Sequence, residues 1–492
     1  MSKNGLNQQD LVVIGGGTSG VMCALGAVQY GLKVTLICNN TDLLKSSSLL
    51  TEFIPSRAFI YASTLVDKIK QAKYFGLEAT LAPVNITKVN NYVQRIVQTF
   101  NQENDLEMFE KLGGSILIGT AKFINNQTVL VGNIQVSSKY FVIATGTREP
   151  ISNIVDFEAS GSLSYSQIFY KNSLAKKTII LGSSSESLEM AQALTKFGSA
   201  VTLVCCKQKF LPLEDQELVT KLQGILEKEE ITFYLATKVL QFYWQNKRKL
   251  LICQDNRGDK FALDADEIID MRDPQPNVVA LGLQSIDIPY DHEGILVNNR
   301  LQTSEKNIFA IGSVVKAPFK SIHLIEHQVN LVLSNIIFKI PRTINYKIIP
   351  RVLFTSPQLA TVGVTQLSKF SNSSNNQIKV LQFDFKDLDA AVYQQKGCGE
   401  VKLICKGDKL LGASILGPMA TELITEYSFL MQVGAGVSEL ANSICAYPTL
   451  SQINKRAAHK IFNKNKLSKT TVAIEKAMHK MHQMAAMLSF AT

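Results

Sequence analysis

The feature that most constrains this chain is a pattern it contains twice. Leu11-Val12-Val13-Ile14 is a short apolar run closed at once by Gly15-Gly16-Gly17-Thr18-Ser19-Gly20. Apolar residues at helical spacing follow (Met22, Leu25, Val28), then Gly31 and the run Lys33 to Cys38. Later, Thr178-Ile179-Ile180-Leu181 is closed by Gly182, and Phe197-Gly198 precedes the run Ala200 to Cys205. Gly15 to Gly31 spans 16 positions, as does Gly182 to Gly198; Gly15 to Cys38 spans 23, as does Gly182 to Cys205. Two short apolar runs joined by a helix-length segment specify parallel strands with a crossover. The pattern predicts two copies of one βαβ unit in an α/β protein.

The first copy places G-x-G-x-x-G in the strand–turn–helix setting that gives the motif meaning. Its first glycine makes the tight turn. The second lets the backbone approach a pyrophosphate at the helix N-terminus, and the third allows close helix–strand packing. The second copy reads Gly182-Ser183-Ser184-Ser185-Glu186-Ser187. There a Cβ at Ser184 is expected to crowd a pyrophosphate, and Glu186 adds an anion where a phosphate would sit. In both copies the acid expected at the second strand's end, for a ribose hydroxyl, is a cysteine, Cys38 or Cys205. The simpler reading of both is a small apolar strand end.

With 492 residues the chain has room for about three domains. Eight scattered cysteines without a C-x-x-C argue against a secreted disulfide framework and a zinc site, and adjacent Cys205-Cys206 read as a strand end rather than a redox pair. The formal charge of +10 is spread along the chain, apart from clusters near Lys207, Lys247 and Lys455 to Lys469, so no nucleic-acid partner is expected. Met1 to Asp10 is polar and runs straight into a strand, which does not read as a signal peptide. No apolar run reaches membrane-spanning length, and the expected location is cytoplasmic.

Further landmarks fall in a recognisable order. They are Ile54-Pro55-Ser56-Arg57-Ala58, opening a helix after a loop; Val142-Ile143-Ala144-Thr145-Gly146; Ile308-Phe309-Ala310-Ile311-Gly312; and Ala446-Tyr447-Pro448-Thr449-Leu450-Ser451-Gln452. Over roughly residues 10–462 the chain resembles the flavoprotein pyridine nucleotide–disulfide oxidoreductases: dihydrolipoamide dehydrogenase, glutathione reductase and mercuric reductase. The resemblance implies two Rossmann-like domains and an α+β dimerisation domain, with FAD in the first unit, NAD(P)H in the second, and a homodimer. The implied divisions are an FAD domain at 1–150 and 278–343, an NAD(P) domain at 151–277, and an interface domain at 344–462. A basic linker and amphipathic helix occupy 463–492.

Carried over by resemblance, the FAD site keeps Gly15, Gly17, Gly20, Thr145, Gly146 and Gly312, and Gly182 opens the NAD(P) loop. The ribose acid is Cys38, with Asn39 as a substitute hydrogen-bond partner, and the family's flavin-chain aspartate is Ser313. Each loss is worth about 1–2 kcal/mol, so FAD binding is expected to weaken by roughly one or two orders of magnitude without being abolished. The altered second loop puts NAD(P)H binding in doubt. The family's Lys–Glu pair near the flavin N5 maps to Arg57 and Glu189, where structural and functional readings are both open.

At the chemistry the match breaks. The family's two redox cysteines correspond to Ser48 and Phe53. Thiol–disulfide exchange needs a thiolate attacking sulfur, which neither side chain supplies. Phe53 either packs over the flavin or simply fills the core. The family's His–Glu acid–base dyad corresponds to Tyr447 and Gln452, a phenol and a neutral amide. No catalytic position is intact.

Two functions remain. One is a residual FAD-dependent NAD(P)H oxidoreductase with a small-molecule acceptor such as a quinone or oxygen. Lys207 and Lys209 lean toward NADPH. The other is a catalytically silent homologue serving binding, regulation or assembly. Disulfide reduction is not expected, and a tail without cysteine argues against mercury chemistry.

In the interface region, strands are expected at Ile378 to Phe383, Gly399 to Cys405 and Leu410 to Leu416, and helices at Ala420 to Val433 and Leu450 to Phe462. Ser371 to Gln377 reads as a loop tip. Beyond basic Asn463 to Lys469, Ile474, Met478, Met481, Ala485 and Leu488 form one apolar helical face. Docking on the protein or a partner and contact with a membrane surface are both open for it. His479 and His482 fall short of a metal site, and no metal is expected.

Overall fold

The computed structural model describes residues 5–39, 49–100, 103–150, 152–245, 248–366 and 378–462. Ser48, the Ser371 to Gln377 loop and the tail from 463 lie outside them. The chain divides into two units, Met1–Leu359 and Ala360–Thr492.

The first unit holds the repeat. One parallel sheet runs Ser115–Ile118, Val34–Cys38, Gly5–Ile14, Ile134–Ile143 and Ile308–Ala310. The early part of Ile134–Ile143 also pairs antiparallel with Thr128–Val131, which pairs with Ala121–Asn125. A second parallel sheet runs Thr232–Tyr234, Ala200–Val204, Lys177–Leu181, Glu267–Asp270 and Leu163–Ser164. It too has an antiparallel companion, Lys238–Gln245, Arg248–Gln254 and Lys260–Ala265.

The two sheets match bond for bond. Leu11 faces Val34 and Ile14 faces Ile37; Thr178 faces Val201 and Leu181 faces Val204, each counterpart 167 positions on. Gly15 N donates to Ile37 O at 2.8 Å, and Gly182 N donates to Val204 O at 3.1 Å. Ala144 N donates to Ile14 O at 2.8 Å, and Met271 N to Leu181 O at 2.8 Å. The last pair identifies Met271-Arg272-Asp273 as the counterpart of Ala144-Thr145-Gly146.

Strands buried on both faces must be apolar at successive positions, which is why these segments read as continuous runs. Leu11 and Val13 pack on one face, with the helices Thr18–Gln29 and Ile322–Ile337. Val12 and Ile14 pack on the other, with Phe123 and Phe141. Each such side chain contributes about 1.5–3 kcal/mol of burial.

The helix Ile54–Gln71 lies against the helix Ser185–Phe197. Phe59 meets Phe197 and Phe169 edge-on, and Lys196 pairs with Asp67 at 2.5 Å. Instead of emerging from a loop at Ile54, this helix is preceded by a π-helical turn, Leu49–Phe53. Leu50 is buried there, and Ser56 Oγ donates to Phe53 O at 2.9 Å, tying the turn to the helix.

In the second unit, Ile378–Asp384, Glu400–Lys406 and Lys409–Gly417 form an antiparallel sheet. The helix Ala420–Val433 has its expected bounds. The last described helix, Gln452–His459, is shorter than expected at both ends. Ahead of it, Thr449 Oγ1 donates to Ala446 O at 2.8 Å and lies 2.9 Å from Ser451 Oγ, local bonds that compete with helix winding. Among the described residues no helix is long and apolar enough to cross a membrane.

Candidate functional site

The first site lies at the carboxyl ends of the paired strands Gly5–Ile14, Ile134–Ile143 and Ile308–Ala310, where an open α/β sheet forms its ligand crevice. Gly15 has φ +122°, and a Cβ there would lie 2.3 Å from Ala144 O. A Cβ at Gly20 would lie 1.8 Å from Gly15 O. Both positions admit glycine alone. Gly17 is different, because among the described residues a Cβ there would meet nothing within 4 Å. It is the N-cap of Thr18–Gln29, and no side chain caps that helix. Among the described residues nothing takes the first N–H groups of this helix at Gly17, an arrangement suited to an anion.

Gly312 and Gly146 complete the rim. A Cβ on Gly312 would lie 2.7 Å from Ser19 Oγ, and one on Gly146 would lie 3.5 Å from Ser313 Oγ. Thr145 Oγ1 donates to Asn277 O at 2.8 Å. Thus Gly15, Gly17, Gly20, Thr145, Gly146, Gly312 and Ser313 come together. Gly312 N donates to Oε1 of the buried Gln328 at 2.8 Å, a residue the sequence reading missed. Its signal was available: Gln328 sits four positions after buried Leu324 on the apolar face of its helix. Cys38 is buried at its strand end, with its thiol pushed up by that burial, and Asn39 beside it is exposed.

The π-turn borders this crevice, since Leu49 N donates to Thr18 Oγ1 at 3.3 Å. Phe53 is half-buried. Burial, with the Glu186 and Glu149 carboxylates, pushes the Glu52 carboxyl above its ordinary range. One turn on, Arg57 Nη1 donates to Glu189 Oε1 at 3.2 Å while Nη2 donates to Oε2. Phe354 N donates to the same Glu189 Oε1 at 2.7 Å, and the guanidinium stacks 4.2 Å from the Phe354 ring centre. Burial pushes the Glu189 carboxyl up, and the Arg57 charge pulls against it. Tyr165 lies beside the pair, its phenol held far above the ordinary range by burial and by Glu189. Neither Phe354 nor Tyr165 carries a sequence signal of this role.

The second crevice repeats the frame with different contents. A Cβ on Gly182 would lie 2.5 Å from Met271 O, as at Gly15, and also 2.4 Å from Ser187 Oγ. Ser184 is the N-cap of Ser185–Phe197 and accepts from Ser187 N at 3.3 Å. Ser184 Oγ also lies 3.2 Å from Ser187 Oγ, and Ser185 Oγ donates to Glu186 Oε2 at 3.0 Å. Cys205 Sγ accepts from Lys207 N at 3.2 Å, and burial pushes its thiol up. Lys207 Nζ pairs with Asp273 at 3.0 Å, and Arg272 grips Asp270 through Nε and Nη2 at 2.8 and 2.6 Å.

In the second unit of the chain, Tyr447 is exposed and Gln452 begins the last described helix. Gln452 Oε1 is buried without a hydrogen-bond partner, so it accepts nothing from Tyr447. Among the described residues no cluster of three or more His, Cys, Asp or Glu side chains is arranged to hold a metal.

Comparison with known proteins agrees with this geometry. Residues 9–332 match the model of the pyridine nucleotide-disulphide oxidoreductases, and 349–458 match their dimerisation domain. Among curated relatives, dihydrolipoyl dehydrogenase of Bacillus subtilis is 26% identical over 92% of this chain and 97% of its own. The mitochondrial dihydrolipoyl dehydrogenase of Dictyostelium discoideum is 29% identical, covering 93% and 95%. Leghemoglobin reductase of Vigna unguiculata is 29% identical, covering 94% and 89%. Among solved structures, the HOCl-induced flavoprotein disulfide reductase of Escherichia coli, as its Cu(II) complex, superposes with a TM-score of 0.79. It is 20% identical and covers 92% of this chain and 99% of that one.

Proposed function

Given that the chain belongs to the pyridine nucleotide-disulphide oxidoreductase family, we propose that it is an FAD-binding member without disulfide chemistry. The observation that carries the proposal is a contrast within the first crevice. Its phosphate end keeps an uncapped helix N-terminus at Gly17, while no cysteine stands between Cys38 and Cys205. Bound there, FAD supplies redox chemistry that needs no cysteine of the protein.

The chain's own residues divide the work. Gly15 and Gly20 bring strand and helix together, and Gly17 leaves N–H groups for a pyrophosphate. Thr145, Gly146, Gly312 and Ser313 form the opposite wall, and Asn39 offers a polar group at the strand end. Arg57 and Glu189 set the electrostatics beside the π-turn that ends at Phe53, and in sequence Ser48 and Phe53 stand where the family has a dithiol. The domain divisions stay those given above, with FAD held by 1–150 and 278–343 and the NAD(P)-type unit at 151–277.

The family's dimerisation domain supports a homodimer. Exposed Tyr61, Tyr74 and Phe75 in the first unit, and Phe429, Val433 and Ile444 in the second, supply apolar surface for it. A second reading, a catalytically silent scaffold, is favoured by the filled second crevice.

Gentle purification followed by a visible spectrum tests the proposal. The protein is expected to be yellow, or to take up added FAD with a rise in melting temperature. A colourless protein whose melting temperature FAD does not move contradicts it. Ser48→Cys combined with Phe53→Cys is expected not to create disulfide reductase activity, because Tyr447 and Gln452 still lack a base. Substantial activity in that double variant overturns the assignment of the dyad positions.

A further inference from the structure

The fold family implies a nicotinamide dinucleotide in the second βαβ unit, and the residues there do not fit one. We infer that Ser184 occupies the place of the pyrophosphate, so the second crevice excludes NADH and NADPH. The inference deepens the proposed function, because it removes the family's electron donor from a chain that keeps its flavin crevice.

Three separate contacts that a dinucleotide needs are taken by the chain itself. The first is the helix N-terminus. Ser184 and Gly17 are equivalent N-caps with nearly the same backbone, φ −78° and ψ 170° against φ −76° and ψ −178°. In the first copy no side chain among the described residues caps the helix; in the second, Ser184 Oγ accepts from Ser187 N. A buried N–H already bonded within the chain gains nothing from a phosphate that must first displace its partner.

The second contact is charge. Glu186 stands in the first turn of the helix, and both Glu186 and Glu149 act on Glu52. A pyrophosphate entering here meets the Glu186 carboxylate, whereas the first turn of Thr18–Gln29 has no acidic residue. The third contact is the rim. Cys205 carries a neutral thiol that already accepts Lys207 N, so it replaces no ribose carboxylate. Where the first copy has Thr145 and Gly146, the second has Arg272 folded onto Asp270 and Asp273 tied to Lys207. The exposed Lys207–Asp273 pair is weak by itself. The self-capped helix decides the outcome.

The experiment uses the full chain with FAD in excess, so that the first crevice is filled. NADH, NADPH and ADP-ribose are titrated by calorimetry, and flavin absorbance is read in the same samples. Loss of FAD binding is therefore a signal separate from gain of nucleotide binding. The wild type is expected to show no heat and no shift in melting temperature at ligand concentrations of several times about 1 mM. Ser184→Gly, a mild change at an N-cap, is expected to tighten ADP-ribose binding at least about tenfold. Ser184→Gly with Glu186→Ala is expected to tighten it further. Wild-type binding of NADH or NADPH with Kd below about 1 mM overturns the inference. So does a silent wild type whose two folded variants gain no affinity, because exclusion then does not rest on Ser184.

Discussion

The two βαβ units share a register to the residue and differ in what fills their crevices. In the first, glycine is compulsory at Gly15 and Gly20 because backbone atoms stand where a Cβ would go, while no described residue stands within 4 Å of a Cβ at Gly17. In the second, Ser187 stands where Gly20 does, fully buried, with its Oγ directed at Gly182 and Ser184. Gly182 also lacks the positive φ that Gly15 has. The lesson is that the βαβ frame and its phosphate grip are separable. Strand register and apolar burial hold the frame, and a few atoms at the helix N-terminus decide whether a ligand enters.

The sharpest way to break this comparison is to force the same change on both turns. Gly20→Ala is expected to cost about 3 kcal/mol or more, since its Cβ collides with Gly15 O. Ser187→Ala, at the equivalent position, is expected to cost about 1 kcal/mol for its lost hydrogen bond. Urea unfolding curves of the two variants separate these values, and equal costs contradict the comparison.

Arg57→Met comes next, at about 2–3 kcal/mol near neutral pH, because it leaves Glu189 buried without its partner. The sign with pH follows. An unpaired buried carboxyl has a folded-state pKa above its unfolded one, so the folded protein holds the proton more tightly. The variant should be least affected below the ordinary carboxylate range and should lose stability as pH rises through the raised value. Melting temperatures of both proteins across pH check this.

Gln328→Leu removes the acceptor of Gly312 N and leaves a buried N–H unpaired, about 1–3 kcal/mol. FAD affinity should fall with it, because the same turn carries Gly312 and Ser313. Calorimetry with FAD reads that loss, and unchanged affinity removes Gln328 from the account.

The smallest effect belongs to Glu52→Gln. Glu52 titrates high because of burial, Glu186 and Glu149, so its charge is unfavourable in the folded state as pH rises. The neutral variant should melt about 1–2 °C higher at alkaline pH and converge with the wild type on acidification.

Much of this is legible in the sequence. The spacing of Gly15, Gly31 and Cys38 against Gly182, Gly198 and Cys205 specified the repeated unit, because parallel strands buried on both faces leave uninterrupted apolar runs. Gly15 and Gly20 were readable because backbone collisions permit no other residue there. Arg57 and Glu189 were reached by resemblance alone, since 132 positions separate them and no local pattern joins them. Phe354, which stacks on one and donates to the other, left no trace in the sequence, being an aromatic among many. Ser184 was half legible. Its side chain predicts steric crowding, while its cap onto Ser187 N depends on the three-dimensional course of the helix start.

The central claim is that the first crevice is open and the second is shut. Anaerobic addition of NADH, then NADPH, to the FAD-loaded protein tests it most directly, with the visible flavin band as the readout. A flavin band that is present and unbleached by either nucleotide is the predicted result. Rapid bleaching of the wild-type flavin by either nucleotide at levels below about 1 mM contradicts it.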